Sequence, residues 1–218
     1  MVQPKISVIV PVRNGGNKIA NCLEAVFGQS LRPYEVILVD GHSDDETIAS
    51  ATRYPVKIIY EEYGTRGGAC QVGLEEAIGD FIAFTDADCI PDKEWLASLV
   101  KEFNNGVVGV GGMVKNIGDS LWVRSFNLAL DTFIGGANSV QGRAFKKKRL
   151  VKSISGCNSV YRRRDVVEAG GFNTGPIGED RELNRRLANT GPLIYTPDAV
   201  MLHNNRRGLR GMAKVMYR

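Results

Sequence analysis

Apolar and polar positions in the first half of the chain alternate between two periods. Lys5–Val12 (KISVIVPV) is a short β-branched run containing Pro11, as expected of a strand buried on both faces. Over residues 17–29, Ile19, Leu23, Val26 and Phe27 recur at helical spacing. Glu35–Asp40 (EVILVD) predicts a second strand, and Asp44–Arg53 a short helix capped by Ser43 or Asp44. Val56–Tyr60 predicts a third strand, followed by a glycine-rich turn and a helix ending near Ile78. Asp80–Thr85 (DFIAFT) predicts a fourth strand, and Pro91–Phe103 a helix with proline in its first turn. Strands alternating with helices of this length predict an α/β chain with a mostly parallel central sheet flanked by helices.

After Val107–Val114 the rhythm changes. Residues 119–140 read as an amphipathic helix carrying Leu121, Trp122, Phe126, Leu130 and Phe133. A basic cluster follows, Arg143 and then Lys146–Arg149. Cys157–Tyr161 predicts a strand, Arg164–Ala169 a short helix and Glu179–Ala188 a helix rich in both charges. The last twelve residues are basic and end at Tyr217-Arg218, which reads as a cut before a further segment. The change of rhythm divides one continuous domain into two halves, residues 1–114 and 115–218.

The length of 218 residues and 43% apolar content suit a globular domain with a real core, not a disordered chain. No apolar run approaches the ~18 residues of a membrane span and no charged-then-apolar leader opens the chain, so neither an integral membrane protein nor a secreted one is expected. Charge is unevenly spread. Residues 1–110 hold nine Lys/Arg against sixteen Asp/Glu, whereas 111–218 hold nineteen against eight. Such a split fits an acidic half handling cations and a basic half meeting anions, or simply two solvated faces. No aromatic-interleaved basic groove is visible, so nucleic acid is not an expected partner. Cys22, Cys70, Cys89 and Cys157 are widely spaced without a CxxC, the pattern of buried or incidental thiols and not of a zinc site or disulfide framework.

In an open parallel sheet, ligands bind beyond the carboxyl ends of the strands. Those ends here carry Pro11-Val12-Arg13-Asn14, then Asp40-Gly41-His42-Ser43-Asp44, then Asp86-Ala87-Asp88. The turn before the third helix adds Gly64-Thr65-Arg66-Gly67-Gly68, which matches neither a dinucleotide nor a P-loop fingerprint. Two carboxylates flanking Ala87 suit a hard divalent cation, Mn²⁺ or Mg²⁺, whose shell substrate phosphates complete. His42 reads as a turn residue, and Trp95 as core.

Five ordered segments resemble a known family: ISVIVPVRN, VDGHSDDET, RGGACQVGLEEAIGDFIAFTDADC, GCNSVYRRRDVVEAGGF and GEDRELNRRL. The chain is similar to family 2 glycosyltransferases of the Rossmann-like GT-A fold, inverting enzymes that use nucleotide-diphosphate sugars. The resemblance implies that Pro11, Val12, Arg13 and Asn14 shape the nucleotide pocket and that Asp40 accepts a hydrogen bond from base or ribose. It puts Arg66 and Gly67 near base or diphosphate, and Asp86 and Ala87 near ribose or sugar. Asp88 binds the metal, with Asp86 a further candidate ligand, and His203 matches a late histidine near metal or diphosphate. Asp180 becomes the general base, with Glu179 beside it. Gly156, Asn158, Arg186, Arg206 and Arg207 fall on the acceptor or phosphate side. Cys70-Gln71 and Gly41 depart from the family pattern, which bears on the donor's base and sugar.

The expected function is metal-dependent, inverting sugar transfer from a UDP-sugar or GDP-mannose to a glycan or polyprenyl-phosphate-linked acceptor, in polysaccharide or glycolipid biosynthesis. The basic second half suggests an anionic membrane surface nearby, and the expected location is cytoplasmic, on the membrane's cytoplasmic face. Two alternatives stand beside it: a sugar nucleotidyltransferase, and a non-catalytic nucleotide-sugar-binding domain.

Overall fold

The computed structural model describes residues 3–104, 106–117, 145–176 and 178–204. The expected helix at 119–140 and the basic tail from Arg206 lie outside the described residues. The first half follows the predicted alternation: β1 Ile6–Val12, α1 Lys18–Phe27, β2 Glu35–Asp40, α2 Thr47–Ala51, β3 Lys57–Tyr60, α3 Arg66–Glu76 and β4 Phe81–Phe84. Then come β5 Cys89–Pro91, α4 Trp95–Val100, β6 Gly109–Ile117, β7 Arg149–Val151, β8 Ser159–Arg162, α5 Arg163–Glu168, α6 Glu179–Leu187 and β9 Leu193–Asn204.

All described strands join one sheet in the order β3-β2-β1-β4-β8-β6-β9-β5, with β7 also pairing β9. Strands β1 to β4 are mutually parallel, as their apolar runs predict. β8 then enters antiparallel between β4 and β6, so strands from both halves of the chain build one sheet. β6 and β9 run parallel, and β5 and β7 flank β9 antiparallel.

Every residue of β1 is buried because helices cover both faces. Its side chains alternate. Val8 and Val10 pack with Leu23 and Val26 of α1 and with Trp95 and Leu99 of α4. Ile9 faces the other way, toward Ala69 and Leu74 of α3 and Leu183 and Leu187 of α6. This two-sided burial fixes register, since a slip of one residue would exchange the two faces.

Three local expectations are corrected. The second helix begins at Thr47 because Ser43 is occupied elsewhere, donating its N–H and Oγ–H to the Asp40 carboxylate. Instead of Ser43 or Asp44, Asp45 accepts the Thr47 N–H, at 2.9 Å. The helix expected from Pro91 begins only at Trp95, because Cys89–Pro91 is drawn into the sheet against Met201–His203. The twelve-residue β9 was not foreseen from its pattern, since Thr196-Pro197-Asp198 interrupts its apolar alternation. The structure accommodates that interruption with a register shift against β6 between Gly112 and Met113.

Candidate functional site

A crevice of about 410 Å³ opens beyond the carboxyl ends of β1 and β4. The turn after β1 supplies Pro11, Val12, Arg13 and Asn14; the segment after β3 supplies Glu61, Thr65 and Arg66; the turn after β4 supplies Asp86, Ala87 and Asp88. Asn14 sits in the left-handed region (φ 54°), a conformation that asparagine tolerates better than most side chains. Its N–H donates to Ser43 Oγ and its Oδ1 accepts from the Asp44 N–H, which ties the β1 turn to the β2 turn. His42 is likewise a left-handed turn residue (φ 57°), and Trp95 is fully buried, as read from the sequence.

Arg66 is the hinge of the crevice. Thr65 caps α3, its Oγ1 accepting the Gly68 N–H at 2.9 Å, so that Arg66 leaves the first turn. The guanidinium donates from Nε and Nη2 to Asp86 Oδ1 (3.1 and 2.8 Å) and from Nη1 to Glu179 Oε1 (2.7 Å). Burial alone would lower its pKa; the charges of Asp86, foremost, and Glu179 outweigh that and raise it well above the ordinary arginine value. The same burial pushes the Cys70 thiol up to about 12, against the pull of Arg66, which keeps it a protonated neighbour and not a nucleophile.

Gly67 is no loose turn but part of the first turn of α3, and a Cβ there would run into the carbonyl oxygen of Asn173. At Gly156 a Cβ would stand 2.9 Å from Arg66 Nη1, so a larger residue would press on the guanidinium. The Gly156 N–H instead donates to Asp180 Oδ2 at 3.3 Å, and the Arg181 N–H to Asp180 Oδ1 at 2.7 Å. Of the two acids opening α6, Glu179 is thus spent on Arg66, while Asp180 is held by backbone donors at the helix start.

On the other flank, His203 Nε2 stands 3.3 Å from Asp88 Oδ1, because β9 pairs His203 opposite Cys89. In the protonated imidazole, Nδ1 donates to Asn116 Oδ1 at 3.1 Å and Nε2 to Asp88 Oδ1, so a cation bound by the pair would replace the Nε2 proton. Burial raises the Asp88 pKa, but the His203 hydrogen bond and charge, with Lys18, bring it below the ordinary value. Burial also lowers that of His203; Asp88, with smaller help from Cys157 and Asp86, leaves it above the ordinary imidazole value. A carboxylate oxygen, an imidazole nitrogen and the Cys89 sulfur lie within 4.8 Å of one another here. The carboxylate and imidazole suit Mn²⁺, with donor oxygens completing the shell.

Three expected site residues lie elsewhere. Asp40 is fully buried, its carboxylate accepting from Ser43, and it does not line the crevice. Asn158 is also fully buried: it accepts from Trp95 Nε1 and donates to the carbonyls of Met113 and Ala199. Arg186 is committed to Glu182 and the carbonyls of Ala169 and Gly171. Each was a polar residue inside a motif, and its partners come from distant segments. Arg206 and Arg207 lie outside the described residues. Lys18, Glu61, Thr65 and Cys89 were missed. A threonine ahead of Arg-Gly-Gly was a readable capping signal, whereas Glu61 and Cys89 needed the fold.

The glycosyl transferase family 2 model matches residues 7–169. The glycosyltransferase AglE of Haloferax volcanii is 29% identical over 215 residues, covering 93% of this chain and 68% of that protein. A dolichyl N-acetyl-α-D-glucosaminyl phosphate 3-β-D-2,3-diacetamido-2,3-dideoxy-β-D-glucuronosyltransferase of Methanococcus voltae is 24% identical, covering 96% of this chain and 70% of that one. Among solved structures, the mannosyltransferase PcManGT of Pyrobaculum calidifontis, in complex with GDP-Man and Mn²⁺, superposes with a TM-score of 0.75 at 22% identity. That match spans 100% of this chain and 66% of PcManGT. Staphylococcus aureus TarS, in complex with UDP-GlcNAc, gives 0.72 at 21%, over 96% of this chain and 61% of TarS.

Proposed function

Because the chain belongs to glycosyl transferase family 2, we propose that its crevice binds a sugar nucleotide through a divalent cation and transfers the sugar with inversion to an acceptor oxygen. One observation carries this reading: Arg66, Asp86 and Asp88 line a single crevice, His203 stands against Asp88, and Asp180 is held by Gly156, whose backbone abuts the Arg66 guanidinium. A bound Mn²⁺ or Mg²⁺ would supply charge stabilisation to the departing diphosphate. Asp88 and His203 would hold it, and Arg13 and Lys18 would add positive charge along the crevice wall.

Asp180 does the proton work. The acceptor hydroxyl attacks the anomeric carbon from the face opposite the leaving group. A new carbon–oxygen bond forms as the bond to the diphosphate oxygen breaks. The electron pair leaves with the nucleoside diphosphate, and the hydroxyl proton goes to Asp180. Two backbone N–H donors hold the Asp180 carboxylate in place for this step. Glu179 instead positions Arg66, which in turn aims the Asp86 carboxylate into the donor space.

The donors of the solved relatives, GDP-mannose with Mn²⁺ and UDP-GlcNAc, set the classes to test first. A lipid-linked acceptor is favoured by the exposed run Lys146–Leu150, in which Leu150 is 72% exposed beside three lysines. Among the described residues, no helix is long and apolar enough to cross a membrane. Four free, buried thiols fit a reducing compartment and so the cytoplasmic face.

The test is release of nucleoside diphosphate from each donor, with glycan or polyprenyl-phosphate acceptors, by wild type and Asp180→Asn. Loss with a hydroxyl acceptor supports Asp180 as base; retention with a phosphate acceptor, whose oxygen is already ionised, identifies the lipid class. Turnover unaffected by Asp180→Asn on hydroxyl acceptors refutes the assignment.

A further inference from the structure

Two thiols that the transfer reaction does not use meet directly behind the crevice. Cys89 belongs to β5 and Cys157 to the turn before β8, so the fold joins residues from opposite halves of the chain. Their sulfurs and an Asp86 carboxylate oxygen all lie within 4.8 Å of one another. Ser155 Oγ lies 3.3 Å from Cys157 Sγ. Both cysteines are buried and neither is in a disulfide, while Asp86 opens to the crevice and gives an ion a way in.

Two sulfurs and one carboxylate form a donor set for a soft or borderline cation, not for Mn²⁺ or Mg²⁺, which prefer oxygen. Zn–S bonds of about 2.3 Å put tetrahedral donor atoms roughly 3.5–4 Å apart, inside the 4.8 Å span of the three donors here. We propose that Cys89, Cys157 and Asp86 form a second metal site, specific for Zn²⁺ or Cd²⁺ and adjacent to the Asp88–His203 pair. Binding exchanges the two thiol protons for one cation, leaving two thiolate–metal bonds and two protons released to solvent. The site stands on these side chains alone and is independent of whether the protein transfers a sugar.

The full chain is titrated with Cd²⁺ while the ultraviolet cadmium–thiolate absorption is followed, and the X-ray absorption spectrum of the Zn²⁺-loaded protein is recorded. The expected result is one ion per chain with two sulfur ligands. In Cys157→Ser, Cd²⁺ affinity falls by more than about tenfold, since losing a ligand costs at least as much as losing one of its outer partners. Cys22→Ser leaves both readouts unchanged. A shell of oxygen and nitrogen only overturns the proposal. So does a single-sulfur shell that survives Cys157→Ser, because the ion then sits with Asp88, Cys89 and His203. The wild-type spectrum needs no variant, so an unfolded Cys157→Ser does not spare the proposal.

Discussion

Replacing Arg66 with alanine removes a guanidinium that joins the turn after β4 to α3 and α6. Three hydrogen bonds to carboxylates go with it, two to Asp86 and one to Glu179, besides a longer one to Cys70 Sγ. Charge-assisted hydrogen bonds each contribute about 1.5–3 kcal/mol net, and leaving a buried carboxylate without its partner costs at the upper end. Asp86 is 31% exposed, so water recovers part of its loss, whereas Glu179 at 12% recovers little. The expected destabilisation is therefore about 2–3 kcal/mol, most of it from Glu179. With a urea slope of roughly 2–3 kcal/mol/M, the unfolding midpoint should fall by about 1 M. Arg66→Lys, with one compact charge in place of a fork, should lose about half as much. In a double-mutant cycle with Glu179→Gln, the two changes should couple by about 1–2 kcal/mol. A midpoint within about 0.2 M of wild type, or additivity within about 0.5 kcal/mol, would refute the claim that Arg66 holds the crevice together.

Other expectations follow from individual contacts. Asp180→Asn should lower transfer to a hydroxyl acceptor by about 10²–10⁴-fold while leaving nucleotide binding intact, as steady-state kinetics beside calorimetry will establish. The His203 pKa is raised in the folded chain, so its ion pair with Asp88 contributes stability below the unfolded imidazole value of about 6.5, and that contribution is lost as pH rises through the folded value. His203→Gln should then destabilise the metal-free protein more at about pH 5.5 than at about pH 8.5, and equal effects at both would count against the pair. Because a cation must displace the same proton, apparent Mn²⁺ affinity of the wild type should rise across that interval. Gly67→Ala should cost about 1–3 kcal/mol in thermal or urea unfolding, since the Asn173 carbonyl must move. Asn158→Ala should cost about 2–4 kcal/mol by stranding the Trp95 N–H and two carbonyls, without altering nucleotide affinity per folded molecule.

The parallel half of the sheet was legible because β1, β2 and β4 are largely apolar runs, as burial on both faces demands. That Asp86, Asp88 and Asn14 line one crevice was legible for a related reason: polar side chains collect where those runs stop, and the order of the runs gives the sheet its open end. Antiparallel strands in the second half were harder. β7 is only three residues within a basic stretch, and β9 carries a proline and an aspartate at its register shift. Motif matching read Asn158 and Arg186 as ligand contacts because it records which polar residues occur, not which partners they meet. Asn158 is enclosed by three distant segments, Trp95, Met113 and Ala199, that no local pattern announces. The same long-range closure that hid those roles created the Cys89–Cys157 meeting, across 68 positions of sequence.

The central claim is that a divalent cation on Asp88 and His203 couples the crevice to a nucleoside diphosphate. Its most direct test is calorimetric titration of UDP and GDP into wild type and Asp88→Ala, each with and without Mn²⁺. The account predicts binding of one base only with Mn²⁺ present, and loss of that metal dependence in Asp88→Ala. Equal affinity with and without Mn²⁺, or an unchanged response in a folded Asp88→Ala protein, would contradict it.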